Sequence, residues 1–509
     1  MTETTPGSAP EGTDADVLVV GAGPAGLALA CELGLAGVRT TVLERDSAPP
    51  GFCRGFNLNA RSLELLGLRG LAGRFLAEGP TRQSTMFVGG ARLDLASMRT
   101  EHPYVLGIPQ TRVEELLAEQ AVRSGARILR GHRLHGLRQD ASGVTADVEA
   151  PAGRRELRCR RLVGCDGGRS TVRTASGIGF PGTPARHTTL LGDVVLADPD
   201  ALPLGPVTGP GGSLFAIPRP GYVRLVTADP EPPADKDEPV SLRRFQGAVD
   251  RVLGRHVEIA EAHWLTRFGD AARLAERLRH GRVLLAGDAA HIHPPAGAIG
   301  VNAAIDDAMN LGWKLALVTR DLAPDELLET YHTERHAAGT RLLRNTLAQT
   351  LFSSAEEDGE EQRLAPAREL LAELAEAEET AGYLAETLTG VGTRYPVHDP
   401  LGHPWEGRMV PNVPLCSGGR LTALTERGGG ALLMAEGSDR CLLHEAAAPW
   451  ADRVTAADVR SGELPGAYAA LVRPDGHAAW VATTPAAPDA DAERLRTALH
   501  EWFGPPQGR

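Results

Sequence analysis

A chain of 509 residues is too long for one simple core, and its length suggests about three domains. With 42% apolar and 23% charged residues it has a globular composition, and Gly 59 with Pro 37 stays below the level of low-complexity chains. A net charge of -12, with no block of Lys or Arg, opposes non-specific binding to nucleic acid or to an anionic membrane.

The first fourteen residues are polar and acidic, with neither the basic start nor the apolar core of a signal peptide, and are expected to be disordered. The apolar stretch from Val17 to Val38 is long enough to raise a transmembrane helix, but Pro24, Glu32 and several glycines interrupt it. A strand–turn–helix unit explains it better. Six cysteines without a C-x-x-C pair read as reduced, mostly buried thiols of a cytoplasmic protein.

The first element is the β-branched run Val17-Leu18-Val19-Val20, as expected of a buried parallel strand. The turn Gly21-Ala22-Gly23-Pro24-Ala25-Gly26 follows, then a helix ending at Gly37 and a second strand, Thr40-Thr41-Val42-Leu43, reaching Glu44 and Arg45. Gly21 permits a tight turn, Gly23 lets backbone N–H groups approach a pyrophosphate, and Gly26 lets helix and strand pack closely. The helix N-terminus offers unpaired donors and the positive end of a dipole. Glu44 stands where an acid binds ribose hydroxyls. A lone G-x-G-x-x-G can be an ordinary glycine turn; with strand, helix and acid in register it signals a dinucleotide, FAD or NAD.

Further along, Thr111 and Glu114 suggest a capping box opening a helix that buries Val113, Leu116, Leu117 and Ala121 and stops at Gly125. Segment 131–165 reads as a small meander. Leu162 to Arg173 reads as a strand entering a helix through a glycine bend at Asp166, and Arg282 to His291 repeats that shape at Asp288. Each Asp stands at the ligand-binding end of an open α/β sheet, or simply caps a helix. Between them, 186–274 shows short strand patterns, among which Phe215, Tyr222, Trp264 and Phe268 are either cavity walls or ordinary core. His291 and His293 lack a nearby third ligand, so they are read as bracing a loop and not as holding a metal. A loop from Pro294 to Asn302 enters a long helix from Ala303 to Thr319. Residues 324–390 are helix-forming, the acidic run at 356–361 is a solvated segment, and Pro400, Pro404, Pro411 and Pro414 mark a linker to a last domain.

The ordered trio of fingerprint, Asp-Gly motif at 166–167 and Gly-Asp motif at 287–288 resembles the flavoprotein aromatic hydroxylases related to para-hydroxybenzoate hydroxylase, over roughly residues 15–350. The tail resembles the thioredoxin-like C-terminal domain of larger, aromatic-polyketide-tailoring members. The resemblance implies an α/β fold: a Rossmann-like FAD-binding domain, an inserted β-sheet substrate domain and a thioredoxin-like C-terminal α/β domain. The expected boundaries are 15–77, 105–185 and 275–350 for FAD, 78–104 and 186–274 for the substrate sheet, 351–399 for a helical connection and 400–509 for the last domain. Without C-x-x-C, that last domain cannot do dithiol chemistry.

FAD follows from the resemblance. It assigns Asp288 to the ribityl or pyrophosphate part, Asp166 to FAD and the pyridine nucleotide, Arg54 to the pyrophosphate and nicotinamide path, and Gln110 to the flavin's side, with Arg112 a weaker match. Pro294 is a candidate substrate contact, and Pro295, Gly300, Val301 and Asn302 are candidates beside the flavin, although Ala298-Ile299 replaces the family's usual glycine–glutamine pair. A helix N-terminus aimed there would stabilise the anion formed on reduction. The implied activity is NAD(P)H-dependent monooxygenation of a phenolic or polycyclic aromatic through a flavin hydroperoxide formed with molecular oxygen. Baeyer–Villiger insertion on the same scaffold, or a non-catalytic flavin-containing binding protein, are the alternatives. A monomer or homodimer is expected, with a small aromatic molecule as its partner.

Overall fold

The computed structural model describes residues 13–87, 91–233, 235, 238–294, 297, 299–354, 361–396, 403–436, 440–460, 462–483 and 488–506. At its centre the strand Ala15–Val20 lies parallel to Thr40–Glu44 on one side and to the end of the long strand Gly153–Gly164 on the other. Arg127–Arg130 and Val283–Leu285 extend this parallel sheet outward. Val17 to Val20 are buried because helices cover both faces, which is why the run is apolar without alternation.

The helix Pro24–Leu35 crosses the helix Gly300–Thr319 so closely that a Cβ on Gly312 would lie 2.4 Å from the Cβ of Glu32. The second helix is buried on nearly every side and begins at Gly300, three residues before the sequence pattern places its start. The expected meander exists, as Arg133–Gln139 and Val144–Ala150, but it pairs onto the first half of the long strand and so belongs to the central sheet.

A five-stranded antiparallel sheet runs in the order Gly205–Gly209, Gly212–Arg219, Tyr222–Ala228, Thr188–Leu196, Ile259–Gly269. One face packs Leu190, Leu214 and Leu225 on Phe245 and Val249 of the helix Leu242–Leu253. That helix is fixed at one end by Ser241, whose hydroxyl accepts from Arg244 N–H, and at the other by Gly254 at φ 63°. The opposite face is left for a cavity.

The last domain has the strand order Val454–Val459, Gly430–Ala435, Ala469–Val472, Ala478–Ala482, with a parallel first pair and an antiparallel hairpin, flanked by the helices Cys441–Ala447 and Pro488–Phe503. This is the expected thioredoxin-like arrangement. Two helices, Glu361–Glu376 and Glu378–Thr389, precede it in the chain.

Three expectations change. Segment 78–104 does not join the substrate sheet: Thr81–Arg82 pairs with Val105–Gly107, and Ser84–Phe87 with Ala91–Asp94 forms a separate hairpin. The capping box at Thr111 does not form, because the helix already starts at Gln110 after Pro109, and Glu114 accepts from Gln110 Nε2 (2.8 Å). Residues 1–12 of the expected disordered start lie outside the described residues, whereas Asp14 is placed by hydrogen bonds with the Arg158 backbone. No helix among the described residues is long and apolar enough to cross a membrane.

Candidate active site

The loops that follow the parallel strands converge at one edge of the sheet, as ligand-binding loops of open α/β sheets do. They open on a cavity of about 2280 Å³ that continues across the free face of the five-stranded sheet. Gly21, Gly23, Ala25, Glu44, Arg45, Arg54, Gln110, Asp166, Asp288, Gly300 and Val301 all line it.

The fingerprint turn fits a dinucleotide. Gly21 sits at φ +108°, and a Cβ there would meet the Cys165 carbonyl at 2.3 Å. Gly26 is pressed against the Gly21 carbonyl, so its role is to close the turn and not to line the cavity. Gly23 has nothing within 4 Å of an added Cβ, and no side chain caps the helix it opens. Open space in front of uncapped N–H groups is what a pyrophosphate requires. Glu44 accepts from Ala22 N–H (2.8 Å) and Asp46 N–H (2.9 Å), which fixes its carboxylate at the strand end.

The two aspartates differ. Asp166 accepts from the Ser170 hydroxyl (2.5 Å) and Val172 N–H (3.1 Å), and burial raises its carboxyl above the ordinary range. It therefore braces the following helix as well as lining the cavity. Asp288 exposes its carboxylate to the cavity. Three residues on, His291 turns away to Asp307 (2.8 Å), whose second role is to accept from Gly287 N–H (2.8 Å). Burial alone would depress the His291 imidazole, but Asp307 outweighs it and holds it above its ordinary value. His293 is bonded to the Pro294 carbonyl (2.8 Å).

Not every candidate reaches the cavity. Asn302 is buried, accepting from Asn59 N–H (2.9 Å) and the Ser62 hydroxyl (2.7 Å), so it ties the first turn of the helix Gly300–Thr319 to a neighbour. Pro295 lies outside the described residues. Pro294 is buried but does not line the cavity. Arg112 is spent on Glu78 and Glu115 at the surface. Of the four aromatic candidates, Phe215 and Phe268 line the cavity. Trp264 is covered by Phe52, stacked at 4.5 Å, and Tyr222 meets His263 edge-on at 5.7 Å, so neither is a wall.

Strand alternation supplies the walls that single-residue inspection overlooks. Ser213, Phe215, Ile217 and Arg219 share one face of their strand; Arg224 and Val226 lie opposite on the next, followed by Leu191. The face is apolar through Leu191, Phe215, Ile217 and Val226, with Thr189, Thr208 and Ser213 at one end and arginines at the other, beside the 52–56 loop. There the Arg219 guanidinium lies 3.5 Å above the Phe56 ring, with its Nε buried and without a partner. Gln349, Phe352 and Arg368 close another side of the cavity.

Residues 14–346 match the family model described as FAD binding domain, and residues 403–506 match that of the aromatic-ring hydroxylase C-terminal domain. A 12-dehydrotetracycline 5-monooxygenase/anhydrotetracycline 6-monooxygenase from Streptomyces rimosus is 41% identical over 510 residues, covering 96% of this chain and 99% of that protein. A rifampicin monooxygenase from Streptomyces venezuelae is 42% identical over 512 residues, covering 96% and 98%. Among solved structures, an anhydrotetracycline hydroxylase from Streptomyces rimosus superposes with a TM-score of 0.88 at 41% identity, over 97% of this chain and all of the other. Matched by the family model over residues 14–346 and 41–42% identical to these relatives over 96% of its length, the chain belongs to the FAD-dependent aromatic-ring hydroxylases and is a flavoprotein monooxygenase.

Proposed function

We propose that this enzyme uses NAD(P)H and oxygen to hydroxylate a polycyclic aromatic polyketide bearing phenolic or enolic oxygens. The observation that carries this reading is the one continuous cavity that joins the fingerprint turn to a largely apolar sheet face bearing Arg219, whose buried Nε has no hydrogen-bond partner. A broad face built from Leu191, Phe215, Ile217, Val226 and Phe268 suits fused rings, which bury large flat apolar areas. Relatives named for anhydrotetracycline and rifampicin oxidation are consistent with such a substrate.

In this reading Gly21 to Ala25 and the helix they open hold the pyrophosphate, Glu44 the ribose, and Asp288 the chain between pyrophosphate and ring. Bound FAD, once reduced, supplies the activated oxygen. The protein's part is positional. The N-terminus at Gly300–Val301 presents backbone dipole to the ring system, and the sheet face excludes water from the reacting carbon. Arg219 donates N–H to a ring oxygen, which orients the substrate and favours its ionised, more electron-rich form. No side-chain nucleophile is needed.

The test is to offer the purified holoenzyme a panel of polycyclic phenols under NADH or NADPH. The expected result is substrate-stimulated nicotinamide oxidation with a product one oxygen atom heavier and hydroxylated on a ring carbon. A ring-expanded ester of the same mass would replace hydroxylation by Baeyer–Villiger insertion. Tight binding of the panel with no nicotinamide oxidation above background and no oxygenated product would overturn catalysis of this kind.

A further inference from the structure

The strands Ala469–Val472 and Ala478–Ala482 of the C-terminal domain are joined by the tip Arg473-Pro474-Asp475-Gly476-His477. This tip is not at the surface. Arg473, Asp475 and His477 are each no more than 2% exposed, and they enter a cluster of ionised groups from the FAD domain. Arg473 forks onto Glu334 (2.5 and 3.1 Å) and onto Asp475 (3.0 and 2.5 Å), with Trp502 beneath its guanidinium at 4.5 Å. Glu334 also receives Lys314 (2.7 Å) and Asn310 (2.7 Å) from the flavin-facing helix. Arg69, paired with Glu32 of the fingerprint helix, donates to the Pro474 carbonyl (3.0 Å).

From His477 the chain of contacts leads to the cofactor loops. Arg61 donates to His477 Nε2 (3.1 Å) and to Asp306 (2.8 Å). Arg335 joins Asp306 (2.6 Å) to Asp307 (2.7 Å) and reaches the Tyr395 hydroxyl (3.2 Å), whose ring packs 4.3 Å from His477. Asp307 then holds Gly287 N–H and His291, immediately beside Asp288. Arg61 lies on the short helix whose Asn59 and Ser62 grip Asn302, in the first turn of the flavin-facing helix.

Burying ion pairs returns little net stability, because desolvation offsets the attraction between charges. What a buried, extensively bonded network supplies is a fixed geometry, since each guanidinium donates to its carboxylates in only one arrangement. We propose that the 473–477 tip of the C-terminal domain is a positioning element for the FAD site, holding the 287–291 turn and the 300–302 helix start in register through Arg61, Asp306, Arg335 and Asp307. His477 is then a positioning residue. It touches no cofactor, and the domain that carries it acts on FAD binding without dithiol chemistry.

The test compares His477→Leu, His477→Gln and Val459→Ala by FAD titration of the apoprotein and by the visible spectrum of the bound flavin. His477→Leu leaves Arg61 with Asp306 but without its acceptor in the tip, and is expected to weaken FAD about tenfold and shift the flavin bands, while His477→Gln, which can still accept, recovers most of the affinity. Val459→Ala, in the domain's separate core, is expected to lower the melting temperature with FAD affinity unchanged. Should His477→Leu not fold, Tyr395→Phe decides in its place, with an expected loss of about threefold. Wild-type FAD affinity and spectrum in the folded His477 or Tyr395 variant would overturn the proposal. So would an equal loss of FAD in Val459→Ala, which would reduce the domain's role to general stability.

Discussion

Arg224 and Asp193 form a buried two-point ion pair at 2.7 Å on each side, and the same guanidinium donates to the backbone carbonyls of Cys53 and Arg54. The five-stranded sheet thereby grips the loop that presents Arg54 to the cavity, helped by Trp264 stacked on Phe52. Asp193→Ala would leave Arg224 buried and uncompensated, a change that costs about 3–5 kcal/mol. The expected result is a clear fall in the melting temperature together with a reduced rate of flavin reduction by NADPH. Stopped-flow absorbance would show it. A variant that melts early but is reduced at the wild-type rate would separate the clamp from the chemistry.

Two glycines of the fingerprint should fail in different ways. At Gly21 both the positive φ and the Cys165 carbonyl oppose any side chain, so Gly21→Ala is expected to disturb the turn itself and to lower stability with or without FAD. At Gly23 the backbone is extended and an added Cβ meets nothing, so Gly23→Ala should fold normally and exclude only the pyrophosphate. The measurement is flavin content after gel filtration beside the apoprotein melting temperature. The expected pattern is loss of both in the first variant and of flavin alone, by at least about tenfold in affinity, in the second.

The contrast shows which features a sequence displays. The turn at 21–26 and the strand ends at Glu44, Asp166 and Asp288 are legible because local backbone requirements and a fixed order along the chain leave a pattern in nearby residues. Arg219 and Arg224 leave no such pattern, since their value depends on which arginine has already found a carboxylate. Asp193 is more than thirty residues from Arg224, and the pairing is set by strand register. Trp264 and Tyr222 were reasonable wall candidates by size, but only the fold reveals that Phe52 and His263 cover them. Asn302 shows the same limit in reverse: it lies in the expected helix turn, yet its side chain serves Asn59 and Ser62. Alternation within Gly212–Arg219 could have gathered Phe215, Ile217 and Arg219 onto one face, though not said which face was the open one.

Arg219 leads to a prediction about substrate alone. It stacks on Phe56 with a buried, unpartnered Nε, and burial and the neighbouring Arg224 both disfavour its positive charge. An anionic or strongly polarised substrate oxygen would relieve both. Arg219→Met keeps the stacked bulk and removes the donors, and is expected to raise KM for a phenolic substrate about tenfold while leaving FAD content unchanged. Steady-state kinetics with substrate and NADPH varied separately would check it. A rise in KM confined to NADPH would reassign the guanidinium to the nicotinamide nucleotide.

Acid should act on the seam between the FAD and C-terminal domains before it acts on the cofactor. Burial would raise the carboxyls of Asp306 and Glu334, but Arg335 and Arg61 hold the first at about 2, and Arg473 and Lys314 hold the second at about 2. Groups depressed in the folded state contribute stability that is complete above their unfolded values, near 3.8 and 4.5, and is lost as pH falls toward 2. Lys314 acts in the other direction. Burial pulls it down to about 8 against its ordinary 10.5, so its charge is a cost below pH 8 that is relieved as pH rises from 8 to 10.5. The expected melting curve therefore falls steeply between pH 4.5 and 2 and gains, rather than loses, from this lysine on the alkaline side. Glu334→Gln should flatten the acid limb while lowering the plateau at neutral pH, because it removes the titrating carboxylate but leaves Arg473 and Lys314 short of an anion. An acid limb of unchanged slope in that variant would place the titrating groups elsewhere in the chain.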